Sequence, residues 1–326
     1  MKTRYLVLFA LLALSGSCEK ADSNGYKLPQ PDYKYINSLH ISDDILWILS
    51  SAPREQFTFV AVIPPSRLSR INLSNNEIRM SGKIPASCEI GFDNEEIPYL
   101  GTYDRKVIKI NPDLTYDQYL DVPKVNLIQE IVFNSNNNLW VASNAGGLFF
   151  YDGIDTSRFN AANSILTSDG IKSMCRDSES NIWFIQGQEL FKIDPQNNIS
   201  KDTHLFPINN LAGAFNLTAD KDNALWVSRW DGNYHRIFKK SSNGPWVEIN
   251  PPESSDNRPV KFIKSVNGTI WISYSTYPKN LLAYFDTNNK WVEVEIPLDE
   301  INITDIVSNG DDLFLGTPKG IFTMTL

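Results

Sequence analysis

Residues 137–152, NNLWVASNAGGLFFYD, contain the pattern that decides the fold. Residues 139–143 form a short strand-like run with a large aromatic residue near its start. Residues 144–147 are small and polar, which suits a turn that needs positive φ angles, and residues 148–151 are again apolar. The segment therefore predicts a β-hairpin.

The same hairpin pattern recurs along the chain. Each copy carries one aromatic residue at the position of Trp140, and we call these residues the pivot aromatics. Consecutive pivots lie 41 to 45 residues apart, except for one gap of 52. A period of this size, with strand-like segments and no helical pattern, is typical of a β-propeller. The sequence predicts an all-β, seven-bladed propeller of four-stranded antiparallel blades over residues 33–326, with pivots at Trp47, Tyr99, Trp140, Trp183, Trp226, Trp271 and Phe314.

Each repeat can be divided into four strands. Strand A precedes the pivot and lies nearest the central channel, strand B carries the pivot, and strand C returns. Trp246 and Trp291 begin strand D of two successive blades. Residues 50–65 lengthen blade 1, either as an insertion or as a more apolar strand pair with prolines at its end. Because residues 320–326 supply only strand C of blade 7, we expect the missing outer strand to come from residues 33–35.

Composition and charge exclude several classes of protein. The chain has 326 residues, a net charge of −8, 42% hydrophobic residues and 12% aromatic residues. These values are typical of a globular domain with a sizeable core. The acidic balance, without a basic stripe, argues against a nucleic-acid partner.

The N-terminal region predicts export and lipidation. Lys2 and Arg4 precede an apolar run at 5–14 that is too short to span a bilayer. The sequence Ser-Gly-Ser-Cys that ends at Cys18 resembles the lipobox of bacterial lipoproteins, whose cysteine is acylated, although ordinary signal cleavage after residue 15 is the alternative. We expect a lipoprotein signal peptide at 1–18, a flexible tether at 19–32, and anchoring to the outer membrane, facing the periplasm or the cell surface.

Cysteines and polar turns offer little evidence of a metal site. Cys88 and Cys175 precede pivots of different repeats, so we expect two separate, buried thiols, with a disulfide as the alternative. No cysteine or histidine cluster has ligand spacing. The Asp and Asn residues of the A–B turns could hold calcium, but such residues also suit tight turns. We expect no metal and no cofactor.

Residues 138–148, NLWVASNAGGL, resemble the two-component regulator propeller repeat. The resemblance covers residues 33–326 and is weak in blade 2, where Tyr99 replaces tryptophan. Such repeats build the sensor region of receptors in polysaccharide-degrading bacteria and also occur in stand-alone exported proteins. Since no kinase motif is found in these 326 residues, the resemblance implies the fold and a recognition role.

An enzyme is the main alternative to a binding module. Similar propellers include virginiamycin B lyase, which uses a histidine and a magnesium ion. The histidines here, His40, His204 and His235, come from unlike positions of their repeats, and motifs of other hydrolases are missing from the sequence. We therefore expect a non-catalytic binding or scaffold module. A lyase or hydrolase and a purely structural envelope component are the alternatives.

The candidate binding surface is marked by Trp230, the one tryptophan outside any repeated position. Residues 229–233 are expected to form the B–C turn of blade 5, and residues 274–279 an enlarged B–C turn of blade 6. All B–C turns lie on one face, so exposed aromatic and arginine side chains could meet a protein or a glycan there. In the alternative, Trp230 covers its own blade as a lid. The candidate residues are Arg229, Trp230, Asp231, Tyr274, Tyr277, Tyr103 and Arg105.

Overall fold

The computed structural model describes residues 33, 35–52, 63–75, 77–204, 206–207, 212–242, 244–252, 259–274, 281–296 and 302–325. In these residues the chain forms strands and no helix, so no helix there could span a membrane. The strands build the antiparallel sheets of a seven-bladed β-propeller, as predicted. Signal peptide, Cys18, tether and Tyr277 lie outside the described residues.

Blades 1 and 7 belong to one compact unit of the chain. Blade 1 consists of β1 (Tyr35–Ser42), β2 (Ile45–Ser51), β3 (Ser66–Asn72) and β4 (Glu77–Met80), in that order from strand A to strand D. Blade 7 has three strands within the described residues, β25 (Asp305–Asn309), β26 (Asp312–Thr317) and β27 (Gly320–Thr325).

Blades 2 to 6 belong almost entirely to the second unit. Blade 2 consists of β5 (Ser87–Phe92), β6 (Pro98–Thr102), β7 (Lys106–Ile110) and β8 (Tyr116–Asp121), and blade 3 of β9 (Ile128–Phe133), β10 (Leu139–Ser143), β11 (Leu148–Tyr151) and β12 (Thr156–Phe159). Blade 4 consists of β13 (Ser173–Arg176), β14 (Ile182–Gln186), β15 (Glu189–Ile193) and β16 (Ile199–Lys201). Blade 5 consists of β17 (Ala212–Ala219), β18 (Leu225–Trp230), β19 (His235–Lys240) and β20 (Trp246–Ile249), and blade 6 of β21 (Val260–Val266), β22 (Thr269–Tyr274), β23 (Leu281–Phe285) and β24 (Trp291–Val294).

The predicted closure of blade 7 by residues 33–35 is wrong. Tyr35 pairs with Ser51 and Ile36 pairs with Ser50, so both residues belong to the inner strand of blade 1. Ile36 is buried in the apolar cluster that joins blades 1 and 7, which fixes it on the core side of that strand. Strand C of blade 1 begins at Ser66, so the additional length lies in the B–C connection.

The pivot aromatics hold neighbouring blades together. Trp140 of blade 3 packs with Ile182 and Phe184 of blade 4, and Trp226 of blade 5 packs with Ile270 of blade 6. Burying an apolar side chain of this kind contributes roughly 1.5–3 kcal/mol. The aromatic period in the sequence is therefore the period of the contacts between blades.

An acidic residue six positions before the pivot organises the A–B turn. Asp177 Oδ1 accepts the N–H groups of Glu179 and Asn181, at 3.0 and 2.8 Å, and its Oδ2 accepts the indole N–H of Trp183 at 2.8 Å. Asp220 accepts the indole N–H of Trp226 in the same way, at 2.8 Å. An aspartate at this position is thus explained by the several N–H groups that its carboxylate accepts.

Side chains on strand A link four pairs of neighbouring blades. A carboxyl or hydroxyl oxygen accepts the backbone N–H of the following strand A, which satisfies a buried donor. The pairs are Asp305 with Leu39 at 2.7 Å, Glu130 with Met174, Ser173 with Leu217 at 2.6 Å, and Thr218 with Ser265 at 3.1 Å.

The two thiols on strand A are free. Cys88 lies in blade 2 and Cys175 in blade 4, and they form no disulfide. The Cys88 thiol contacts the carbonyl oxygens of Gly101 and Ile128, each at 3.2 Å. Burial raises the pKa of Cys88 to about 12 and holds the pKa of Cys175 well above its ordinary value. The expectation of two separate thiols is confirmed, and both cysteines are partly buried.

Candidate functional site

Trp230 lies at the end of a strand. It is the last residue of β18 and pairs with His235, the first residue of β19, so the prediction that it belongs to the turn is wrong by one position. The indole and imidazole rings have centroids 5.1 Å apart and planes tilted by 57°. The indole is partly exposed to solvent. The hairpin thus presents an aromatic pair at its tip.

The turn that follows is closed by Asp231. Its N–H donates to the carbonyl of Tyr234 at 3.0 Å, and its Oδ1 accepts the N–H groups of Asn233 and Tyr234, at 2.8 and 2.7 Å. Gly232 takes a φ of 103°, a conformation that side chains disfavour. Those two N–H groups, together with Arg236, lower the pKa of Asp231 to about 2. The tip is therefore a preorganised hairpin turn.

Strand alternation places Trp230 on the side of blade 5 that faces blade 6. Trp226 and Ile237 of blade 5 pack in one cluster with blade 6. Because side chains alternate along a strand, Trp230 and His235 project to that same side. Ser228 Oγ, 3.0 Å from His235 Nδ1, lies there too.

The expected exposure of Tyr274 is wrong. Tyr274 ends β22 and is only 1% exposed, packed with Ile270 and Ile272 of its own strand and with Ile237 of blade 5. Tyr274 follows Ile270 and Ile272 at every second position of β22, so its side chain lies on the same buried face of the strand. Tyr274 supports the wall beneath the tip of blade 5 and has no surface to offer a ligand.

Arg229 also points inward, toward blade 4. It is 0% exposed, and its Nη2 donates to the carbonyl of Gly187 in the B–C turn of that blade, at 2.5 Å. The guanidinium lies 4.4 Å from the centroid of the Phe206 ring. Desolvation lowers the pKa of Arg229 to about 10. Arg229 fastens blade 5 to blade 4, so its expected exposure is wrong as well.

Tyr103 and Arg105 lie in the B–C turn of blade 2, as predicted. Tyr103 is partly buried, whereas Arg105 is exposed and takes a φ of 70°. The backbone bonds of Arg105 are to Thr102 and Val122, within its own blade. These residues lie in blade 2, three blades before Trp230 in chain order.

Tyr234 is the exposed ring that sequence reasoning missed. Its side chain is 42% exposed at the end of the turn, next to His235. The Asp-Gly-Asn triplet before it is a strong turn signal, and Tyr234 ends that turn, directly before His235. We call Trp230, Tyr234 and His235 the Trp230 patch.

The charged side chains of the same hairpin are paired. Arg236 donates through Nε to Asp231 and through Nη1 to Glu248 at 2.7 Å. These two acceptors, more than any other influence, raise the pKa of Arg236. Desolvation lowers the pKa of His235, and the nearby Asp231 carboxylate opposes that shift. His235 is therefore a neutral imidazole at neutral pH.

The histidines occupy unlike elements, as the sequence indicates. His40 lies in β1, His235 begins β19, and His204 follows β16 with its Nδ1 3.0 Å from Asp202 Oδ1. Among the residues that the structure describes, no group of three histidine, cysteine or acidic side chains is arranged to hold a metal ion. The described donors thus do not fit a magnesium site.

Comparison with known proteins supports the fold. The sequence matches no protein-family model and no curated protein. A catalytically inactive histidine-to-alanine variant of virginiamycin B lyase from Staphylococcus aureus, solved with quinupristin, has a TM-score of 0.73 at 16% identity, over 99% of this chain and 100% of that chain.

Two further solved structures are similar over most of the chain. The extracellular domain of a hybrid two-component system from B. thetaiotaomicron has a TM-score of 0.67 at 18% identity, over 98% of this chain and 42% of that chain. YCF48 bound to a D1 peptide has a TM-score of 0.63 at 13% identity, over 91% of this chain and 93% of that chain. At such identities these likenesses establish the propeller fold.

Proposed function

We propose that this propeller is a non-catalytic binding module of the bacterial cell envelope that recognises a protein or glycan through the Trp230 patch. The observation that carries the proposal is the partly exposed Trp230 ring, held with His235 and Tyr234 at the tip of a rigid hairpin. Large aromatic side chains dominate binding hot spots because they offer much contact area and lose little conformational entropy.

The hairpin supports this role because it needs no rearrangement before binding. Its turn is closed by three hydrogen bonds that involve Asp231, and Arg236 links the turn to the outer strand through Glu248. A site that is already ordered loses less entropy when a ligand binds. Arg229 and Tyr274 contribute from below, where they fix blade 5 against its neighbours.

The envelope location rests on the N-terminal sequence. An acylated Cys18 followed by a polar tether would hold the propeller at a membrane surface, and more than one acyl chain gives stable anchoring. The fold likeness to the extracellular domain of a two-component system agrees with such a location.

The test includes two tyrosine variants whose side chains are equally exposed in the wild type. Tyr234 and Tyr116 are both 42% exposed, and Tyr116 begins the outer strand of blade 2. Immobilised wild type, Trp230→Ala, Tyr234→Ala and Tyr116→Ala would be tested in parallel with a glycan array and with detergent-solubilised envelope protein. A ligand of the patch is retained by wild type and Tyr116→Ala and is lost by the other two. Equal retention by all four proteins would overturn the assignment.

A lyase is the second candidate, favoured by the likeness to virginiamycin B lyase over the full length of both chains. Incubation of the purified chain with quinupristin and magnesium, followed by chromatography, tests it directly. If the chain converts quinupristin, and replacing His40, His204 or His235 by alanine abolishes the conversion, the protein is a lyase and the non-catalytic proposal is wrong.

A further inference from the structure

We propose that Tyr99, Tyr119 and Tyr151 form a redox relay, in which a one-electron oxidant at the surface draws an electron from the interior and leaves a buried tyrosyl radical at Tyr99. We call these three residues the tyrosine relay. The inference goes beyond the proposed binding function and does not depend on it. It is carried by the contacts among the three rings and by the carboxylate that accepts the Tyr99 hydrogen bond.

The three rings form a continuous path from blade 2 to blade 3, within one compact unit of the chain. Tyr99 lies in β6, Tyr119 in β8, and Tyr151 ends β11. The ring centroids of Tyr99 and Tyr119 are 4.8 Å apart, those of Tyr119 and Tyr151 are 5.2 Å apart, and both pairs meet edge to face. Rings at these separations are in contact. Electron transfer slows steeply with distance, so Tyr119 bridges the other two rings.

The two ends of the path differ in their access to solvent. Tyr99 is 3% exposed and packs on Phe133, with ring centroids 4.7 Å apart. Tyr151 is partly exposed, and its hydroxyl donates to the carbonyl of Gly153 at 2.8 Å, in an exposed turn. An oxidant in solution therefore reaches Tyr151 first, and a radical at Tyr99 is shielded from other solutes.

Asp93 gives Tyr99 an acceptor for its proton. The Tyr99 hydroxyl donates to Oδ2 of Asp93 at 3.4 Å, while Oδ1 is held by the N–H groups of Glu95 and Ile97, each at 2.9 Å. Burial and the Asp93 charge raise the pKa of Tyr99, so this ring keeps its proton until it is oxidised. A phenol that loses an electron becomes a strong acid and passes its proton to a nearby base. The carboxylate is a stronger base than the carbonyl that faces Tyr151, so the radical is favoured at Tyr99.

The overall step needs one oxidant of a stated class, a small one-electron-oxidising radical or metal complex. Tyr151 gives an electron to the oxidant and its proton to water. Electrons then pass from Tyr99 through Tyr119 to Tyr151, which takes a proton back from water. The oxidant has gained one electron, Tyr99 has lost one electron, and the phenolic proton of Tyr99 is on Asp93. A one-electron reductant returns Tyr99 to the phenol, with the proton from Asp93.

The probe oxidant is a ruthenium(III) tris-bipyridyl complex, generated by a light flash in the presence of persulfate. Radicals of the purified protein are followed by transient absorption and, in freeze-quenched samples with ring-deuterated tyrosine, by electron paramagnetic resonance. Deuteration separates tyrosyl from tryptophan radicals. We expect a long-lived tyrosyl radical in wild type and its loss in Tyr99→Phe, which keeps the ring. Tyr116→Phe removes a 42% exposed tyrosine outside the relay and should retain the radical.

Two variants separate the path from the proton acceptor. Tyr119→Phe keeps the packing and removes the intermediate site, so the radical should form at Tyr151 and reach Tyr99 more slowly. Asp93→Asn still accepts the N–H groups of Glu95 and Ile97 but cannot take the proton as a carboxylate does. The Tyr99 radical should then form about 10- to 100-fold more slowly, the equivalent of one charge-assisted hydrogen bond. Unchanged melting temperatures would show that the variants are folded.

A long-lived tyrosyl radical of equal yield in Tyr99→Phe and wild type would overturn the proposal. Equal rates of radical formation in Asp93→Asn, Tyr119→Phe and wild type would overturn it as well, and would show that the three rings only pack the core. Neither result bears on the proposed binding function, because none of these variants changes the Trp230 patch.

Discussion

The indole N–H of Trp183 donates to Oδ2 of Asp177 at 2.8 Å, across one turn of the chain. The same carboxylate holds two backbone N–H groups of that turn, so one buried side chain closes the A–B turn and satisfies the pivot. Asp220 and Trp226 repeat the arrangement in blade 5. This pairing explains how a polar turn and an apolar period are specified together.

The first prediction follows from this pairing. Asp177→Ala leaves the buried indole N–H of Trp183 and the turn N–H groups without their acceptor, which should lower the free energy of unfolding by about 2–3 kcal/mol. Urea denaturation measures the loss. Asp286→Ala is the matched control, since Asp286 closes the exposed turn before Lys290 and holds no indole, and it should cost less. Equal losses would contradict the role of the indole bond.

The second prediction concerns pH. Desolvation raises the pKa of Glu130 well above its ordinary value of 4.5, and the nearby Glu89 raises it further. The folded state therefore holds this proton more tightly than the unfolded state, and the resulting stabilisation is lost as pH rises from 4.5 through the folded-state pKa. Glu130→Gln has no such proton.

Unfolding free energies of wild type and Glu130→Gln, measured from acidic to alkaline pH, test this. The variant should gain stability relative to wild type as pH rises. Glu95→Gln controls for the loss of one exposed negative charge. Parallel pH profiles for wild type and Glu130→Gln would show that Glu130 has the same pKa in the folded and unfolded states, which would contradict the prediction.

The third prediction concerns the thiols. Because burial raises the pKa of Cys88 to about 12 and the pKa of Cys175 well above its ordinary value, few thiolates exist in the folded protein at neutral pH. Iodoacetamide should modify both slowly in the native protein and rapidly in urea, as followed by mass spectrometry. Rapid native modification of either one would contradict its burial.

The fourth prediction concerns the anchor. If Cys18 is acylated, cells expressing the protein should incorporate labelled palmitate into it, and the protein should partition into detergent. Cys18→Ala should abolish both, while Cys88→Ala should leave both unchanged. Wild-type protein released without label would favour ordinary signal cleavage.

Sequence alone was sufficient for the repeating parts of the fold. The pivots and the outer strands that begin at Trp246 and Trp291 follow a period, and a period predicts contacts that every blade must make. No repeated motif shows to which blade the first strand belongs. Residues 33–35 were therefore predicted in blade 7, although Tyr35 begins the inner strand of blade 1.

The candidate site was predicted only in part. Trp230 was found because it lies outside the repeated positions. Whether the side chains of Arg229 and Tyr274 are exposed depends on whether these residues belong to a strand or to the following turn. Strand β18 ends at Trp230, two residues later than predicted, and side-chain alternation along it turns Arg229 toward blade 4 and Trp230 toward blade 6. Tyr274 follows the same rule in β22. Successive side chains in a strand point to opposite faces of the sheet. An approximate turn boundary predicted from sequence therefore does not tell which of these side chains is exposed.

The measurement that tests the central claim most directly is the affinity of Trp230→Ala for a ligand retained by wild type, with a thermal melt of the same variant. We predict a loss of at least about 2 kcal/mol of binding free energy with a nearly unchanged melting temperature, because a partly exposed hot-spot ring contributes to binding more than to packing. Unaltered affinity with a marked fall in melting temperature would show that Trp230 packs the blade and binds nothing.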